Sequence, residues 1–114
     1  MNVQPLTEAI KRGEKLLIVT QSHQAVRDII SELRDDHDPF IKVSVTYGQE
    51  RARDLSSHGE LSFATSRQVR RYGAVRGRTF DQIILCDGLH DSQGRPTDPE
   101  LAHALSPALR RRDG

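Results

Sequence analysis

Apolar residues fall in short blocks along the chain, and the period of each block predicts its element. Lys15-Leu16-Leu17-Ile18-Val19-Thr20 is a continuous apolar run bounded by polar residues. A run this short predicts a strand buried on both faces, as in a parallel sheet. Ala25, Val26, Ile29, Ile30 and Leu33 then recur at helical spacing behind Ser22, a good N-cap, so a helix is expected over about 22–34. Residues 41–47 alternate apolar and polar, the mark of a half-buried strand, expected at a sheet edge and possible as an antiparallel one. Two more strands are predicted, over 60–65 and 80–87, the second from the run Ile83-Ile84-Leu85-Cys86-Asp87. A first helix is expected from about Leu6 to Gly13, where Pro5 suits the start and Gly13 the stop, and a last one over 99–112 with a break at Pro107. The polar stretch 48–57 reads as a short helix or a loop, and 66–75 as a helical turn or a loop. Strands alternating with helices predict an α/β domain, three-layered, with a mainly parallel sheet.

Composition narrows the function classes. At 114 residues, with no linker or repeat, residues 1–114 are expected to form one domain. There is no Trp, and only three Phe and two Tyr, so the core must be mostly aliphatic. No run approaches the roughly 18 apolar residues of a membrane helix, and the N-terminus lacks a signal-peptide pattern. The single Cys86 forms no internal disulfide, so the expected location is the cytoplasm. In the middle of its strand, Cys86 is expected to act as a small hydrophobe.

Net charge is +1, but residues 51–79 carry 7 basic and 2 acidic side chains. Within that block Arg67, Arg70, Arg71, Arg76 and Arg78 lie with no acid among them, and with Tyr72 and two glycines interleaved. Arg grips phosphates through paired N–H groups, so this segment is the candidate for contact with DNA or RNA; otherwise it is a solvated basic turn or a source of ion-pair partners.

Three stretches carry a resemblance. They are Gly59-Glu60-Leu61-Ser62-Phe63-Ala64-Thr65-Ser66, then Arg76-Gly77-Arg78-Thr79-Phe80-Asp81, then Ile83 to Asp91. In that order and spacing they resemble the ATPase core of phage terminase large subunits, and are similar to helicase-type ATPase domains. The strand and helix at 15–28 and the helix beginning at Pro99 fit the same pattern. The resemblance implies a P-loop-type α/β core in which Asp87 stands at the Mg²⁺-holding position, with His90 and Asp91 completing a remnant of the acidic motif. Two departures imply loss of catalysis. No G-x-x-x-x-G-K-[ST] occurs in the chain, so nothing would cradle the β- and γ-phosphates. Gly88 stands where the resemblance places the catalytic Glu, and it has no side chain to orient water. The chain would begin just after the phosphate loop and end before the strand that normally flanks the acidic one.

The expectation is therefore a non-catalytic module of phage origin, with no cofactor, no bound metal and no membrane partner. It would act by protein interaction, with itself or another protein; the alternatives are nucleic-acid binding through 67–78 and one half of a split ATPase. Residues 80–86, centred on Ile83, Ile84 and Leu85, would form an uncovered edge strand and support a homodimer or receive a partner strand, unless the last helix folds over that edge.

Overall fold

The computed structural model describes residues 4–35, 39–45, 50–72, 78–86 and 88–108, and the account below concerns these. Five strands form one sheet: β1 (Lys15–Thr20), β2 (Ile41–Ser44), β3 (Arg51–Asp54), β4 (Glu60–Thr65) and β5 (Gln82–Leu85). Their order is β2-β3-β4-β1-β5. Strand β1 pairs in parallel with β4 on one side, Leu16 opposite Leu61 and Ile18 opposite Phe63, and with β5 on the other, Leu17 opposite Ile83 and Val19 opposite Leu85. The apolar run at 15–20 thus becomes a strand whose residues 16–20 are all buried. Four helices accompany the sheet: α1 (Gln4–Lys11), α2 (His23–Asp35), α3 (Ser66–Tyr72) and α4 (Pro99–Leu105), the last passing into a 3₁₀ turn at Ser106–Ala108 that holds Pro107.

Because β1 side chains alternate, they enter two separate apolar clusters. Leu16 and Ile18 join Leu6, Ala9 and Ile10 of α1 and Val26, Ile29, Ile30 and Leu33 of α2. Leu17 and Val19 join Val69 of α3, Phe80, Leu89, and Leu101 and Leu105 of α4. Truncating a fully buried leucine such as Leu17 to Ala costs about 2–5 kcal/mol in settings of this kind.

The sheet is mixed, parallel around β1 and antiparallel on the side of β3. Strands β2 and β3 pair antiparallel, as do β3 and β4. Strand β3 falls in the stretch expected to be a short helix or a loop. Arg51-Ala52-Arg53-Asp54 has no apolar run to announce it, and its inward positions are a small residue and an acid, Ala52 and Asp54. It is a strand because it lies between β2 and β4, bonded to both. The expected edge strand over 41–47 is present as β2, antiparallel as anticipated; residues 46 and 47 lie outside the described residues.

The chain ends of these elements follow local rules. Helix α1 stops at Gly13, whose φ of 85° suits glycine, while the Gly13 and Glu14 amides donate to the Ile10 and Ala9 carbonyls in a Schellman arrangement. Helix α2 is capped by Ser22, whose Oγ accepts from the Ala25 amide at 3.3 Å. Asp98 caps α4 by accepting from the Glu100 amide, with Pro99 opening the helix.

The turn from β3 to β4 ties the sheet to α1. The Asp54 carboxylate accepts from the Ser56 hydroxyl at 2.7 Å and from the amides of Ser56 and Ser57 at 2.8 and 3.1 Å. Ser57 Oγ in turn donates to the Ile10 carbonyl at 2.5 Å. Gly59 packs so closely on the Ile10 backbone that a Cβ there would overlap it. The Ser56 hydroxyl first, then the Ser56 amide, hold the Asp54 carboxyl below its ordinary value of 3.8. A lowered folded-state pKa contributes stability that is fully present above the unfolded value and is lost as pH falls through the folded one. The wild type should therefore lose stability below about pH 3.8 more steeply than Asp54→Asn, while the variant is the less stable of the two at neutral pH. Urea midpoints for both proteins across the acid range check this; parallel curves would refute it.

Candidate functional site

In open α/β sheets, ligands bind at the carboxyl ends of parallel strands. Here that edge brings together the ends of β1, β4 and β5, and its polar groups are largely engaged with one another. Thr20 Oγ1 donates to the Ser22 carbonyl at 2.8 Å. Thr65 and Gln68 form a reciprocal capping box at the start of α3: the Gln68 amide donates to Thr65 Oγ1 at 3.1 Å and the Thr65 amide to Gln68 Oε1 at 2.8 Å. The T-x-x-Q spacing that produces this box is legible in the sequence, and it decides between the helix and the loop expected over 66–75.

Gly88 has φ of 89°, and the Gln21 side chain lies where a Cβ on residue 88 would be. A side chain at that position would sit on a strained backbone and would require the Gln21 side chain to move. Asp87 lies outside the described residues. Asp91 organises its own loop: its carboxylate accepts from the Gln93 and Arg95 amides at 2.8 and 3.0 Å, and its amide donates to the Arg95 carbonyl. His90 pairs across the loop with Pro96, and its Nδ1 lies 2.8 Å from the Asp91 carbonyl oxygen. Among the described residues, no group of three or more His, Cys, Asp or Glu converges in a way that could hold a metal ion.

The arginines at 67–78 are dispersed. Arg70 Nη1 donates to Asp98 at 2.7 Å, tying α3 to the cap of α4, and its Nε donates to the Ser66 carbonyl. Arg67 and Arg71 are exposed one turn apart on α3. Arg78 lies elsewhere, with Nη2 donating to Ser62 Oγ at 2.8 Å and its guanidinium 5.0 Å from the Phe80 ring. Arg76 lies outside the described residues.

Strand β5 is at the edge of the sheet, with β1 as its one partner among the described strands. Ile83, Ile84 and Leu85 are half-buried, whereas the residues of β1 that face them are fully buried. Helix α4 shares an apolar cluster with Ile83 and Leu85, and Ile84 and Cys86 pack against the other cluster.

Two features escaped the sequence reading. His23, at the start of α2, lies 2.9 Å from the buried Glu50 carboxylate; both line an open cleft of about 660 Å³ together with Arg27, Arg34 and Asp35. Residues 23 and 50 are far apart in sequence, and no motif links them. The second is a basic sheet face at Lys42, Arg51 and Arg53. Its signal was the alternation in Arg51-Ala52-Arg53-Asp54, which reads as a strand only once its neighbours are known.

No helix among the described residues is long and apolar enough to cross a membrane. No family model, curated protein or solved structure matches the chain.

The Gly88 geometry has a measurable consequence. Gly88→Ala combines a clash with Gln21 and a left-handed backbone, and should cost about 1–3 kcal/mol. Adding Gln21→Ala should recover the clash and leave the backbone cost, so the double variant should lie between Gly88→Ala and the wild type once the cost of Gln21→Ala alone is subtracted. Strict additivity in chemical denaturation would show that the two residues do not meet.

Proposed function

We propose that this protein is a non-catalytic binding module on a three-layer, ATPase-core-like scaffold, and that it acts by protein association through the β5 edge. The observation that carries this reading is the position of β5: an apolar strand paired on one side among the described strands, with half-buried Ile83, Ile84 and Leu85. Edge strands of this composition, with no Lys or Pro between Gln82 and Leu85, favour pairing with another chain. The division of the core into one cluster with α1 and α2 and another with α3 and α4 supports the layered arrangement. The absence of a phosphate loop from the sequence, and a left-handed backbone at Gly88 that disfavours a side chain, support the loss of ATP hydrolysis.

The occupant proposed for the edge is β5 of a second copy. Two such strands related by a twofold axis would join their sheets into one. A four-residue strand buries less than the roughly 1,200–2,000 Å² of a standard interface, so the dimer should be weak and dependent on concentration. Light scattering over a dilution series should show a monomer–dimer equilibrium, with exchange protection of the amides at 82–86 rising with protein concentration. Ile84→Pro, shown to be folded by circular dichroism, should be monomeric. A monomeric wild type with fast-exchanging amides at 83–85 would overturn the reading.

Catalysis is tested separately. Purified protein with Mg²⁺ and ATP should release phosphate no faster than a blank. A turnover abolished by Asp87→Ala would refute the non-catalytic assignment.

A further inference from the structure

The half of the sheet made of β2 and β3 differs from the half around β1. On the side of α1 and α2 it is covered: Ala52 is buried in that cluster, and Ile41 and Val43 pack against it. On the opposite side, none of the described residues of β2 or β3 belongs to the second apolar cluster. By strand alternation that side carries Lys42 and Ser44 of β2, Arg51 and Arg53 of β3, and Glu60 and Ser62 of β4. Lys42, Ser44, Arg51 and Arg53 line an open cleft of about 250 Å³.

The pairing across this face places cations side by side. Lys42 lies directly opposite Arg53, an arrangement that normally destabilises a sheet. Both are exposed, and neither side chain has a hydrogen-bond or ion-pair partner among the described residues. In the next row Ser44 faces Arg51, which faces Ser62, and Ser62 Oγ is the acceptor for Arg78. Among the described residues, four cations therefore share the surface with one carboxylate, Glu60, which lies opposite Arg53 and whose contact with Arg51 is long at 3.5 Å. A carboxylate at 42 would turn the cross-strand repulsion into an attraction, yet that position is basic.

An aromatic extends the same side. The Leu55 amide donates to the Phe40 carbonyl at 2.9 Å, continuing the β2–β3 ladder one position beyond Ile41 and Asp54. That register puts Phe40 and Leu55 on the side of Lys42 and Arg53, and they are 59% and 57% exposed. A row of cations leading to an exposed aromatic ring is the combination that holds single-stranded nucleic acid, the cations on the phosphates and the ring beneath a base.

We infer that the β2–β3 face, with Lys42, Arg51, Arg53, Arg78 and Phe40, is a binding surface for single-stranded nucleic acid. It is separate from the β5 edge, at the other end of the sheet order.

The test uses labelled oligothymidylate and the full chain. Wild-type protein should bind at low salt, with a log–log salt slope of roughly −2 to −3 for up to four phosphate contacts. Lys42→Ala with Arg53→Ala should reduce that slope by about 1.4. Phe40→Ala should weaken binding roughly 5- to 100-fold and leave the slope unchanged, because stacking releases no counterions. Lys42→Glu is the control for folding: Lys42 is on the edge strand and, among the described residues, faces only Arg53, so the change replaces a like-charge pair by an opposite pair, and the variant should be at least as stable as wild type in urea and still lose binding. Ile84→Pro should bind the oligonucleotide as the wild type does, so this surface and the β5 edge fail or succeed independently. Any one of three results overturns the inference: no retention at low salt, Lys42→Glu binding as tightly as wild type, or competition by duplex DNA or poly-L-glutamate as effective as that by the single strand at equal charge.

Discussion

The burial of one strand sets the arrangement of the rest. Strand β1 has apolar residues at every position from Leu16 to Val19, so a sheet with one wet face could not accommodate it. Parallel partners on both flanks satisfy its backbone, and apolar clusters on both faces take its side chains. Helices α1 and α2 are held by Leu16 and Ile18, and α3 and α4 are linked through Leu17 and Val19. Elements away from β1 escape this demand. Strands β2 and β3 carry polar and charged residues on the side where no described helix residue joins them, and β5 is apolar but paired on one side.

Much of this was legible in the sequence where a period was strong. The continuous run at 15–20, the helical stripe from Ala25 to Leu33 and the alternation after Phe40 each produced the element they predict. The Pro107 break and the Gly13 stop also lie where local chemistry puts them. Strand β3 was illegible because its identity is tertiary: Arg51 to Asp54 has no intrinsic strand pattern strong enough to outweigh its polarity, and its ladder partners decide it. That single strand changes the sheet from mainly parallel to mixed. The candidate site was harder still. Nearness in sequence suggested that the arginines at 67–78 act together, yet Arg70 on α3 pairs with Asp98 while Arg78 bonds to Ser62 of β4. Lys42 and Arg53, eleven positions apart, lie face to face because of a ladder whose second strand could not be read.

Gly88 shows how one residue carries two kinds of information. From the sequence alone it is a glycine where the resemblance to an ATPase core would place a carboxylate. In the structure it is a backbone position with positive φ beneath the Gln21 side chain, so the loop after β5 is built around having no side chain there. Restoring a Glu would need both the backbone and Gln21 to move.

The mixed sheet also divides the chain by how far apart its paired residues lie. The β2–β3 and β3–β4 ladders join residues close in sequence, and the Asp54 turn closes the second over a handful of residues. The β1–β5 ladder joins Leu16 to Gln82. Closing that long loop costs more chain entropy before any contact offsets it, so the antiparallel half should assemble early and β5 should dock late. Until it docks, the flank of β1 that becomes its partner is an open apolar edge. The most buried strand of the finished protein is thus the most exposed to wrong pairing while the chain folds.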